Sequence, residues 1–259
     1  MNLIRTVTVT RYITPLREGG SLPAIVEADD GFKYVLKFRG AGQGLKALVA
    51  EMIGAELARA AQFKVPEIVF ARLDEAFGRT EPDEEIQDLL KASTGLNIGL
   101  HYLSGSITYD PAVTAPDSLL ASKLVWLDSL LMNVDRTARN TNLLMWNKEL
   151  WLIDHGAGLY VHHNWPSMQG DAARPFIQIK DHVMLPYATE LANANEMMSQ
   201  LLSQPLLEEI VAAIPNEWLA GYEENEATVK ERYLKFLTDR LKASHTFTKH
   251  ADEARQASI

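Results

Sequence analysis

Residues 130–159 read LLMNVDRTARNTNLLMWNKELWLIDHGAGL. Asn133, Asp135, Arg136, Asn140 and Asn142 come first, then a hairpin-like segment, then Asp154 with His155 and Gly156 behind it. Two acids separated by two strand-like runs, with amides between them, suit the binding of Mg²⁺ and a polyphosphate. Magnesium takes oxygen ligands and usually only one or two carboxylates, leaving its other positions to phosphate oxygens and water. Taken singly, either aspartate reads equally well as an ordinary turn residue between apolar elements. The neighbouring segments therefore decide the reading.

Immediately upstream, residues 117–133, DSLLASKLVWLDSLLMN, form an apolar helix with Asp117 placed to cap its N-terminus. Such a helix is mostly buried and delivers the chain into Asn133-Val134-Asp135. Further back, residues 3–13 alternate like a strand, and Ala24 to Val26 and Tyr34 to Phe38 flank the turn signal Asp29-Asp30-Gly31. Ahead of them, Gly19-Gly20-Ser21 suits either an ordinary hairpin loop or a loop whose backbone N–H groups approach a phosphate.

Lys37 lies within the apolar strand YVLKF. It either snorkels at an edge or points into a cleft toward an anion. The next segment favours the cleft. Residues 45–62 carry Leu45, Leu48, Val49, Met52, Ile53 and Leu57 at helical spacing, with Glu51 and Glu56 as the carboxylates. Packed on the lysine strand, this helix either presents Glu51 to Lys37 or leaves it on a solvated face. Residues 65–74 read as a strand. Residues 81–93 read as a short helix or an acidic insertion beginning near Pro82, and residues 94–106 as an apolar segment punctuated by glycine.

Downstream, residues 162–186 show little periodicity, and helical runs follow, broken at Pro205 and Pro215. An amphipathic helix is expected with Val229, Tyr233, Phe236, Leu237 and Leu241 inward. The last residues, HTFTKHADEARQASI, read as loose or weakly helical. His155, His162 and His163 read as loop residues, because no acidic or histidine partner stands four residues from them on a helix.

A net charge of −9 argues against a broad nucleic-acid or anionic-membrane surface, because those partners attract clustered lysine and arginine. The absence of cysteine excludes disulfides, thiolate metal sites and cysteine nucleophiles. No apolar run approaches the ~20 residues of a membrane span, and the N-terminus lacks the apolar stretch of a signal peptide. A cytoplasmic protein is expected.

Together these segments resemble the HipA-like kinases, whose catalytic loop is related to that of phosphoinositide kinases. The shared pattern is Asn133-Val134-Asp135-Arg136, an asparagine and a strand, then Ile153-Asp154-His155-Gly156. Lys37, Glu51 and Val65-Pro66 follow in the family's order. The motifs cover about residues 16–190. The resemblance implies an α+β, two-lobed protein-kinase-like fold, with a mostly β small lobe over residues 1–104 and a helical large lobe over 105–259. It implies ATP and Mg²⁺ as cofactors, and a hydroxyl acceptor on a protein or a small molecule, with room for a protein partner. Asp135 would be the catalytic aspartate and Arg136 the brace of its loop. Asp154 would bind metal with Asn140 or Asn142. Asn140 has the usual spacing of five from the aspartate, whereas Asn142 stands at the entry to the strand, which fixes its side chain. Lys37 would meet the phosphates, held by Glu51, with Gly19, Gly20 and Ser21 above them. The backbone around His101, Tyr102 and Leu103 would face the adenine. Thr137 stands where many relatives have histidine, and the family's toxins carry a further N-terminal subdomain, whereas this sequence starts almost at the glycine loop, so toxin activity is not among the expectations. A catalytically silent nucleotide-binding protein that acts through partners is the alternative expectation.

Overall fold

The computed structural model describes residues 4–16, 22–42, 44–75, 77 and 83–258. Gly19, Gly20 and Ser21 lie outside the described residues.

Strands β1 (Thr6–Pro15), β2 (Ala24–Ala28), β3 (Lys33–Lys37), β4 (Ile68–Leu73) and β5 (Gly95–His101) close into a barrel in the order β1-β2-β3-β5-β4. Gly31, at φ +81°, makes the β2–β3 turn at the predicted Asp-Gly signal. Alternation sends Val7, Val9, Val26, Tyr34, Leu36, Val69 and Ala71 inward. The barrel is closed by the parallel pairing of β1 with β4. A parallel partner requires a crossover, and helix α1 (Gly44–Ala60) lies in the connection from β3 to β4. All residues of α1 from Leu48 to Ala58 are buried, so it is covered on every side. Helix α2 (Glu84–Ala92) starts where the Asp83 carboxylate accepts the N–H groups of Glu85 and Ile86.

Beyond the barrel, β6 (Ile107–Thr108), β7 (Leu143–Trp146) and β8 (Glu149–Leu152) form a small second sheet. The β7–β8 hairpin turns through Asn147 and Lys148, both at positive φ. That is the backbone a two-residue turn needs to match strand twist. Helix α3 (Ser118–Leu131) is capped by Asp117, whose carboxylate accepts the Leu120 N–H, and ends at Met132 in the left-handed region. The rest is helical: α4 (Met168–Asp171), α5 (Leu191–Leu201), α6 (Gln204–Ala212), α7 (Glu226–Lys242) and α8 (Ser244–Ala257), with short 3-10 turns between. This mixture of a β lobe and a helical lobe is the predicted fold class. Among the described residues no helix is long and apolar enough to cross a membrane.

Of the two readings of the C-terminus, the helical one holds: residues 244–257 are a regular helix, not a loose tail. Phe247 and Ala251, one turn apart, are buried, and Phe247 lies edge-on to Trp126 of α3. The buried Arg240 guanidinium also stacks on Phe247, 4.7 Å from the ring centre. Packing of this single stripe outweighs a weak local pattern.

Candidate active site

The chain leaves α3 through Met132 and enters a loop whose backbone is tied down at each step. The Asn133 Oδ1 accepts the Asp135 N–H at 3.1 Å. The Asn140 and Asn142 side-chain amides both donate to Asp135 Oδ2, at 2.8 and 3.2 Å. Asn142 is buried, whereas Asn140 is exposed. Asn142 also sits at φ +50°, and its carbonyl accepts from the Ile153 N–H at 3.1 Å and from Arg136 Nη1 at 2.5 Å. The register Leu143↔Leu152 therefore continues one step past the strand ends, bringing Asn142 opposite Ile153, the residue before Asp154. Asp154 is also left-handed, at φ +55°. Non-glycine residues held in this region concentrate at functional sites.

Under the loop lies a charge network that the sequence motifs do not include. Asp128, on α3, is fully buried and accepts from Arg136 Nε at 2.6 Å, Asn133 Nδ2 at 3.0 Å and His182 Nε2 at 2.9 Å. His182 Nδ1 accepts the Met184 N–H at 3.0 Å, so its proton is on Nε2 and faces the carboxylate. Burial alone would raise the Asp128 pKa, but Arg136, His182 and Asn133 hold it well below the ordinary carboxylate range. Arg136 thus braces the loop, and the Val183 N–H donates to the Arg136 carbonyl at 3.1 Å.

Three distant segments meet on Lys37. Its ammonium lies 2.5 Å from Asp154 Oδ1 and 3.4 Å from Glu51 Oε2. Glu51 is buried, so the solvated-face alternative for it does not hold, and Lys37 points inward. Burial would neutralise the lysine, but Glu51 and Asp154 outweigh that and raise its pKa. Burial would likewise raise Glu51, yet Lys37 and then His155 pull it below its usual value.

His155 lies in a loop, as expected, but not at the surface. It is fully buried, with Nδ1 3.7 Å from Glu51 Oε1, and it packs directly on Gly54 of α1. A Cβ at residue 54 would lie 2.5 Å from the His155 Cβ. That glycine lets α1 approach the loop that carries Asp154 and His155 closely.

His162 is also buried. Its Nδ1 lies 3.1 Å from the Tyr233 hydroxyl, which lies 2.7 Å from that of Tyr222. Burial, aided by His163 and Lys46, pushes its pKa down to about 3 from 6.5. Between those values the unfolded chain binds the extra proton, so stability must fall as pH drops through the window. Urea unfolding is expected to lose about 2 kcal/mol between about pH 7.5 and about pH 5, and His162→Phe should flatten that slope. An unchanged slope in the variant would refute the assignment.

At the barrel's exit, the His101 N–H donates to the Glu67 carbonyl and the Tyr102 N–H to the Lys33 carbonyl. Both amides are committed to the barrel, which leaves Leu103, buried at the start of the connector, as the first residue past that pairing. Among the described residues no three His, Cys, Asp or Glu side chains gather as a metal cage. The donor set around Asp154 is carboxylate and amide.

A β lobe carrying a lysine–glutamate pair, set against a helical lobe carrying Asp135 and Asp154, defines a protein of the kinase-like class. A family model described as HipA-like kinase matches residues 9–249, and the chain belongs to that family. The match extends well beyond the motif-bearing residues, into the C-terminal helices. Among solved structures, the chain is similar to the Helicobacter pylori proinflammatory kinase CtkA, with 14% identity and a TM-score of 0.58. That similarity covers 98% of this chain and 99% of the other. The Golgi casein kinase, in a structure with Mn and ADP bound, matches at 12% identity and a TM-score of 0.50, covering 100% of this chain and 76% of the other. A second structure of that kinase gives 12% identity and a TM-score of 0.51, over 99% and 73%. At such identities the likeness concerns the fold. Among curated proteins none matches significantly.

Proposed function

We propose that this chain is an ATP- and Mg²⁺-dependent kinase that transfers the γ-phosphoryl group to a hydroxyl acceptor, a protein serine or threonine. The observation that carries the proposal is the convergence of β3, α1 and the metal loop on one ammonium, Lys37 between Glu51 and Asp154. A buried carboxylate that keeps a lysine charged in a cleft makes an anion site, and polyphosphate is the anion that also needs the adjacent oxygen donors.

The donor set fits a hard cation. Asn140 and Asn142 turn their amide nitrogens to Asp135 Oδ2, so their amide oxygens remain for metal, and Asp154 adds a partly exposed carboxylate. When bound, Mg²⁺ would neutralise charge on the phosphates. We assign it to Asp154 and Asn142, whose backbone is the better anchored of the two amides, and give Asn140 the task of holding Asp135. Asp135 Oδ1 then accepts the proton of the attacking hydroxyl. Catalysis is otherwise a matter of position: Lys37 orients the phosphates and Arg136 keeps the loop from shifting. The adenine is placed against Leu103 and the residues after it, since the amides before it are already bonded. The lobe boundary is placed between residues 104 and 105, where the chain leaves the barrel for the sheet of β6, β7 and β8.

The test is label transfer from γ-labelled ATP in Mg²⁺. Wild type is expected to label itself or an added protein substrate. No label transfer and no ATP turnover, with ATP binding intact, would leave a nucleotide-binding protein that is not an enzyme. Loss of ATP binding would end both readings. In the same assay Asn142→Ala should raise the Mg²⁺ needed for half-maximal rate about tenfold or more, and Asn140→Ala less than that. The reverse order would exchange their roles.

A further inference from the structure

The large lobe reaches back onto the barrel at a place remote from the chain connection between them. Residues 216–218 form a 3-10 turn after α6, and both pack against α1. Glu217 Oε2 pairs with Arg39 Nη1 at 2.8 Å and accepts the Leu96 N–H at 3.4 Å. The Trp218 indole N–H donates to the Leu96 carbonyl at 2.8 Å. The Trp218 ring, 1% exposed, meets Phe70 edge-on at 5.5 Å.

These contacts fall two residues from the phosphate lysine along its own chain segment and two residues from its partner on β5. Arg39 lies two positions after Lys37, and Leu96 two before Ile98, the partner of Lys37 in the β3–β5 register. Gly95, at φ +103°, leaves room for the Arg39 guanidinium, which would lie 2.6 Å from a Cβ there. A second tie acts on the first turn of α1, where Lys46 Nζ donates to the His162 carbonyl at 2.7 Å. Enclosed by β5, α3, α6 and the 216–218 turn, α1 cannot carry Glu51 away from Lys37 as a rigid body without breaking this strap.

We infer that Glu217 and Trp218 are positioning residues that keep the Lys37–Glu51 pair assembled from across the molecule. This rests on the reading of that pair as the phosphate site. The Arg39–Glu217 pair is about a third exposed and contributes little alone. The buried indole, with its satisfied N–H, carries more of the effect. The strap therefore needs both groups removed to be tested.

Hydrogen exchange on the full chain compares wild type with Glu217→Gln, Trp218→Phe and the double variant. Glu217→Gln keeps shape and still accepts the Leu96 N–H but removes the charge that faces Arg39, and Trp218→Phe keeps a smaller ring toward Phe70 while removing the indole donor. The double variant is expected to exchange amides of α1 and β3 about tenfold faster or more, with α3 and α7 unchanged. KM for ATP should rise about tenfold while kcat stays within about threefold. Wild-type protection of α1, or equal loosening of α3 and α7, would overturn the inference. So would a loosened α1 with KM unchanged. Exchange requires no turnover, so an inactive wild type would defeat the kinase reading and leave the strap to be decided by exchange alone.

Discussion

Asp135→Asn is expected to lower the rate of phosphoryl transfer by about 10²- to 10⁴-fold, with ATP affinity nearly unchanged. The substitution keeps shape and leaves one oxygen to receive the Asn140 and Asn142 amides, which now converge on Asp135 Oδ2. Only the second oxygen, the one assigned to the acceptor's proton, is replaced by a group that cannot take a proton. Asp154→Ala should behave differently. It removes the nearer of the two carboxylates that hold Lys37, at 2.5 Å, along with the proposed metal carboxylate, so it should weaken nucleotide binding as well as transfer. Single-turnover transfer rates and calorimetric ATP binding separate the two outcomes. Transfer at the wild-type rate by Asp135→Asn would remove Asp135 from the chemistry, whatever the behaviour of Asp154.

The parts of this site that could be read from the sequence are those specified by local pattern. Lys37 stands out because a charge interrupts an apolar strand, and Glu51 because it rides on a helix apolar enough to be buried. Their meeting with Asp154 required only that the three segments fold in order. Other parts depend on partners far away in the chain. The parallel closure of the barrel by β1 and β4 leaves no local trace. Glu217 and Trp218 follow a proline break and show no periodicity, and their partners, Arg39 and Leu96, lie 178 and 122 residues back in sequence. His155 and His162 lie outside the α-helices and strands, as their spacing implies, but spacing says nothing of burial. Both are buried through contacts with α1 and α7. Asp128 carries a local signal of its own. An acid in LVWLDSLL, a run otherwise fit for complete burial, demands a charged or hydrogen-bonded partner inside the protein.

That demand makes Asp128→Asn the substitution with the largest expected effect on stability. The carboxylate is fully enclosed and faces Arg136, Asn133 and His182 together. Neutralising it leaves the Arg136 guanidinium, itself 1% exposed, as a buried charge without a counterion. Removing one member of such a pair costs about 3–5 kcal/mol, more than the intact pair contributes over an apolar replacement. The remaining bonds of Arg136 go to the carbonyls of Thr141 and Asn142, which are neutral and only partly compensate. His182 fares no better, since its Nε2 proton then meets an amide that can present either an oxygen or a nitrogen. Urea unfolding should therefore show a midpoint shift of that size with an unchanged slope, measured near neutral pH. A companion variant, His182→Gln, retains a donor toward Asp128 and leaves the ion pair with Arg136 in place, so it should cost about 1–2 kcal/mol. If Asp128→Asn were no more damaging than His182→Gln, the ion pair would be incidental to the loop. If the expected order holds, the loop that carries Asp135 is fastened to α3 by charge, and residues 182–184 are fastened to the same carboxylate. Loss of Asp128 should then release residues 182–184 together with Asp135, visible as faster hydrogen exchange at both in the variant's folded state.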